Sequence, residues 1–212
     1  FLPPLVRLAG TPVHADDEDT VRRLRMAGLD GLAALLAVRS DDAIYQSNMA
    51  SVMDSVLDNM QFVQDGSDDV ASSAGRVLAT IMTAAGDVAA VATLIDLIFA
   101  HFDEREAWAN DVFVEQVFVI IAKHVFARHA YLIFTPLVAH IDAVADLTVK
   151  ACLLRVLAIV LRNMDSELGR DGLVVVTALL KHQLISVDAV HELTQGSVAA
   201  FTSSKSVLAH HE

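Results

Sequence analysis

Residues 77–100 read VLATIMTAAGDVAAVATLIDLIFA, and the fold turns on whether this is one segment or two. As one segment it is long enough to cross a bilayer, which takes about 20 apolar residues. It is interrupted only by Gly86, Asp87 and Asp96. An aspartate near the middle of a spanning helix costs roughly 3 kcal/mol, and two largely offset the aliphatic gain. The Gly86-Asp87 pair reads instead as punctuation, a glycine closing one helix and an aspartate capping the next. Two helices of ordinary length joined by a tight turn follow. The other apolar runs fail the same test. Residues 147–161 are broken by Lys150 and Arg155, and residues 112–122 are too few and contain Glu115.

Working outward from this hairpin, the same spacing recurs on both sides. Upstream, a helix is expected over about 20–38, with Val21, Leu24, Gly28, Leu32, Leu35 and Leu36 at helical intervals. Before it, residues 1–19 open with two prolines and end in the acids 16–19, which complement the positive end of the helix that follows. Gly28 and Gly31 inside that helix each cost about 1 kcal/mol against alanine, so a close helix–helix approach is expected there. A second helix covers about 43–63, with Ile44, Met49, Val52, Met53, Val56, Leu57 and Met60 on one side. The hairpin itself is about 69–85 and 88–102, followed by a polar turn at 103–106 ahead of Trp108. Downstream, helices are expected over about 111–126, 131–141 and 147–164, the last capped by Asp146. Pro136 should kink or split the middle one. An eighth helix is read over 173–184, after a turn at 169–172. Helices apolar on more than one face sit between neighbours on both sides, and pairs begin near Thr20, Asp69, Asp111 and Asp146, about 40 residues apart. That spacing falls in the range of armadillo and HEAT units. The expected fold is all-α, an α-solenoid of armadillo/HEAT-like helical hairpins, with a compact helical bundle as the alternative.

Composition agrees. Of 212 residues, 54% are hydrophobic and 20% charged, which excludes disorder over most of the length. Aromatics are only 6%, so aliphatics and alanine build the core. The 27 acidic residues outnumber the 15 basic ones, for a net charge of −12, and this argues against a nucleic-acid or acidic-lipid binder. A single cysteine, Cys152, excludes a disulfide framework or a thiolate zinc site within the chain. With no Asn-x-Ser/Thr sequon, this favours the cytosol. The chain starts with Phe1 and no basic leader, and reads as an internal piece of something longer.

The search for chemistry returns little. His124 and His129 are five apart and do not share a helical face, and no His-Glu-x-x-His occurs. Each of the nine histidines is expected at the surface or as a satisfied core residue. The acids of 65–69 lack the closing glutamate of a calcium loop and read as linker and cap. The segment 169–172 lacks a following Gly-Lys-Ser/Thr and is a turn. Cys152, in an apolar helix, reads as a buried inert thiol. Arg22, Arg23 and Arg25 form the one basic cluster, with Arg22 and Arg25 on a shared face balanced by the preceding acids. No catalytic constellation assembles, so no enzyme, cofactor, metal or small-molecule substrate is expected.

Five short blocks, in order, carry a family resemblance. Arg25-Met26-Ala27-Gly28-Leu29-Asp30-Gly31-Leu32 is similar to an Arg-aliphatic-Ala-Gly-aliphatic-x-Gly-aliphatic helix of the Rolling blackout, or eighty-five-requiring, family of peripheral plasma-membrane proteins. Val56-Leu57-Asp58-Asn59-Met60-Gln61 resembles the family's next helix end, where Asn-Met-Gln recurs. Phe99-Ala100-His101-Phe102-Asp103 with Trp108 shortly after resembles its Phe-Ala-His-aliphatic-Asp and following Trp. Ala139-His140-Ile141-Asp142 resembles a Gly-His-Leu-Asp, and Leu179-Leu180-Lys181-His182-Gln183-Leu184 a Leu-Leu-Lys-His helix end. The blocks cover about 1–187, read as part of an N-terminal armadillo/HEAT-like rod, with 188–212 a weakly patterned tail or continuation.

The resemblance implies a non-catalytic scaffold on the cytoplasmic face of the plasma membrane that recruits and anchors a phosphatidylinositol 4-kinase complex. It implies contact with that complex through a tetratricopeptide-repeat adaptor and a hyccin-type subunit, by regions largely outside this chain. Membrane attachment would come from palmitoylated N-terminal cysteines, a basic surface, or both, and this chain carries no such cysteine. The motif residues Arg25, Gly28, Gly31, Asn59, Phe99, His101, Asp103, Trp108, Lys181 and His182 are expected to be structural. The alternative is a generic helical-repeat adaptor in trafficking or transport.

Overall fold

A computed structural model describes residues 2–12, 18–38, 47–61, 69–85, 87–124 and 131–163. Among the described residues the secondary structure is all helical. Eight α-helices follow in order: α1 Leu2–Ala9, α2 Glu18–Val38, α3 Met49–Met60, α4 Asp69–Ala84, α5 Val88–Glu104, α6 Asp111–His124, α7 Tyr131–Ala143 and α8 Leu147–Asn163. A 3₁₀ turn, Ala107–Ala109, lies between α5 and α6. The fold class is the expected one, all-α and of the armadillo-type solenoid. No described helix is long and apolar enough to cross a membrane.

The decisive stretch is two helices, α4 and α5, as expected; Gly86 lies outside the described residues. Asp87 acts as the cap: its Oδ1 accepts the Ala90 amide at 2.7 Å. α4 turns Val70, Ala74, Val77, Leu78, Ile81 and Met82 inward, while Arg76 and Thr83 face solvent. Asp96, the residue most damaging to a membrane span, is exposed on α5.

The chain divides into two compact units after His101. In the first, α4 packs on both α2 and α3, and α1 packs on both α2 and α3. In the second, α8 packs on both α6 and α7. A helix that touches its predecessor and the one before that is the stacking rule of helical repeats. It explains why α8 buries residues all round its circumference, from Cys152 through Val160 except Arg155.

Two local features depart from the sequence reading. Residues 2–9 form a helix, α1, where only a proline-led segment ahead of α2 was read. Pro3 and Pro4 fall in its first turn, where amides have no intrahelical acceptor, so the missing N–H groups cost nothing there. And of the kink or split expected at Pro136, the split does not occur: α7 runs through it as one helix. Ile133, Leu137 and Ile141 on its inner face are fully buried, and that packing outweighs the one backbone bond a proline removes.

Asp146 caps α8 as its position suggests, Oδ1 accepting the amides of Thr148 at 2.7 Å and Val149 at 3.1 Å. These amides hold its carboxyl below the usual carboxylate range. A carboxyl with a lowered folded-state pKa contributes its stabilisation in full above the unfolded value, about 4, and loses it as pH falls through the folded value. Exchange protection of the Thr148 and Val149 amides should therefore hold from neutral pH to about 5 and fade below about 4. In Asp146→Ala it should be lost throughout. Equal protection in the variant and the parent, read by amide exchange, would show that the cap is idle.

Candidate functional site

Among the described residues, the polar and glycine positions of the first four sequence blocks fall into three clusters. The first seats α1. Eight residues are too few for a helix to persist alone, so α1 depends on its neighbours. Gly28 supplies the contact surface: a Cβ there would overlap the Ala9 backbone nitrogen and stand 2.9 Å from the Leu5 carbonyl oxygen. One turn on, a Cβ on Gly31 would stand 2.6 Å from Leu5 Cδ2. The close approach expected of these glycines is thus made by α1.

Polar groups then satisfy the carbonyls at the end of α1, which its own backbone leaves without partners. Asn59, fully buried, donates through Nδ2 to Ala9 O at 2.9 Å and to Ser55 O at 2.7 Å. Arg25 donates through Nε to Thr11 O at 2.9 Å and through Nη1 to Asn59 Oδ1 at 3.0 Å. Burial lowers the pKa of the Arg25 guanidinium, and the charge of Asp58 partly offsets this. Arg25, Gly28, Gly31 and Asn59 therefore share one task, although 34 positions separate Arg25 from Asn59. Arg22 is engaged elsewhere, with Asp19 at 3.7 Å and Asp69 at 3.4 Å. Of the balance expected with the preceding acids, the Arg22–Asp19 contact is present, while Arg25 turns to Thr11 and Asn59 instead.

The second cluster lies in the other unit. Phe102, Trp108, Phe113 and Phe118 are buried against one another, with Phe102 at the centre. Its ring centroid lies 4.7 Å from Trp108, 4.8 Å from Phe113 and 5.8 Å from Phe118. Asp103 Oδ1 accepts from Trp108 Nε1 at 2.8 Å and from His140 Nε2 at 2.8 Å. Thus the third and fourth sequence blocks meet, Asp103 with His140, across 37 positions. The turn that brings Trp108 round passes through Glu106 in the left-handed region, φ 51°. α6 is tied to α8 by an ion pair between Asp111 and Arg155.

The third cluster sets His101 of α5 against α3. His101 is 4% exposed, and its Nδ1 lies 2.8 Å from Asp54 Oδ1. Its Nε2 stands 3.8 Å from Asp58 Oδ1. Asp54 and Asp58 are four apart, one helical turn, and both reach solvent. Ligand atoms of the three residues lie within 4.8 Å of one another, a spacing that can hold a metal ion. The sequence reading placed His101 in a block but gave the aspartates no role. Their i,i+4 spacing was the one available signal, and nothing local ties it to a histidine 47 positions from Asp54.

Phe99 is buried on α5. Lys181 and His182 lie outside the described residues, as do the expected turn at 169–172, the expected helix at 173–184 and the tail at 188–212. Cys152 is buried, and its thiol is pushed up to about 11 by desolvation and by the charge of Asp111. It stays protonated at neutral pH and is a poor nucleophile.

Compared with known families, the chain matches a family model described as EFR3, armadillo repeat, over residues 11–206. No curated protein and no solved structure matches it significantly. The match opens after α1, yet it contains all four residues that seat α1.

Proposed function

The chain belongs to the EFR3 armadillo-repeat family, a helical-repeat scaffold type, and from that premise we propose that it is a non-catalytic plasma-membrane scaffold. Its role is to help recruit and anchor a phosphatidylinositol 4-kinase complex on the cytoplasmic face of the membrane, in support of phosphoinositide synthesis. The observation that carries this reading is the family match over residues 11–206. The use of the block residues agrees with it. Arg25, Gly28, Gly31 and Asn59 hold helices to one another, as does the Asp103–Trp108–His140 set, and a scaffold needs its repeats rigid.

In this reading the complex is reached through a tetratricopeptide-repeat adaptor and a hyccin-type subunit, mainly by regions outside this chain. Membrane attachment comes from N-terminal lipidation or a basic surface likewise outside it. Cys152 is a poor acylation site, being buried and protonated. Neither nucleic acid nor a small-molecule substrate has a part.

The test uses the parent protein in its own cells. Depleting it should shift the phosphatidylinositol 4-kinase from the plasma membrane to the cytosol, and re-expression should restore it. A kinase that stays at the membrane, with no related protein present to substitute, would overturn the recruitment role. It would leave a helical-repeat adaptor with another client.

A further inference from the structure

We draw no further inference here: the strongest candidate, the apolar surface at the first turns of α6 and α8 where Val112 and Leu147 are exposed, carries nothing because nothing in the structure shows what covers it.

Discussion

Replacing Phe102 by alanine should destabilise the unit formed by residues 102–212 by about 3–5 kcal/mol, the usual cost of deleting a buried aromatic ring. Phe102 is the last large apolar residue of α5, and none of it is exposed. Three aromatic rings from three places meet it: Trp108 after the turn, and Phe113 and Phe118 from successive turns of α6. With aromatics only 6% of the chain, four of them at one point are a concentrated share of the core. Alanine would remove the shared centre of these pairs, each worth about 0.5–1.5 kcal/mol beyond its area. It would also leave a cavity whose walls are large rigid rings that collapse poorly. Phe102→Leu refills much of that volume and should cost less than half as much. In thermal or urea unfolding the alanine variant should show an early transition assigned to this unit, while exchange protection in α2 to α4 persists at first. Alanine and leucine variants of equal stability would mean that the ring contacts contribute nothing specific.

How much of this was legible in the sequence differs from element to element. The division of residues 77–100 into α4 and α5 was legible, because a charged cap after a glycine breaks a helix by local chemistry alone. So were α2, α6 and α8, whose apolar spacing extends over three turns or more. Asp87 and Asp146 cap where their positions suggest. α1 was not legible. Eight residues carry too little periodicity, and its stability comes from Gly28, Gly31, Arg25 and Asn59, all distant in sequence. For the glycines the sequence indicated a close approach but not by which element. The clusters were the least legible. Asp103 with His140, and Asp54 with His101, are joined by helix stacking, and no local rule pairs positions 37 or 47 apart.

Gly28→Val should release α1 from its seat and cost about 3 kcal/mol, at the upper end of overpacking penalties. The reason lies in what the new atoms would meet. Overpacked side chains relieve strain by changing rotamer, but here the obstacles are the Ala9 nitrogen and the Leu5 carbonyl, both backbone. Neither yields without moving the helix that carries it. If α1 lifts away, Ala9 and Leu2 lose their burial, and Asn59 loses the Ala9 carbonyl it donates to. Arg25 loses Thr11 O in the same step, although its guanidinium is already partly desolvated. The losses are thus coupled, since one displacement breaks the packing and both hydrogen bonds to the end of α1. Gly28→Ala meets the same backbone with one carbon, and its gain of about 1 kcal/mol in helix propensity only partly compensates. At Gly31 the atom in the way is Leu5 Cδ2, the far end of a flexible side chain. Gly31→Ala should therefore be tolerated far better, despite lying one turn away on the same helix. Exchange of the Gly10 and Thr11 amides, bonded to Val6 O and Leu8 O, reports the release directly. It should rise sharply in Gly28→Val and little in Gly31→Ala. Equal effects at the two glycines would mean that backbone contact with α1 is not what holds them.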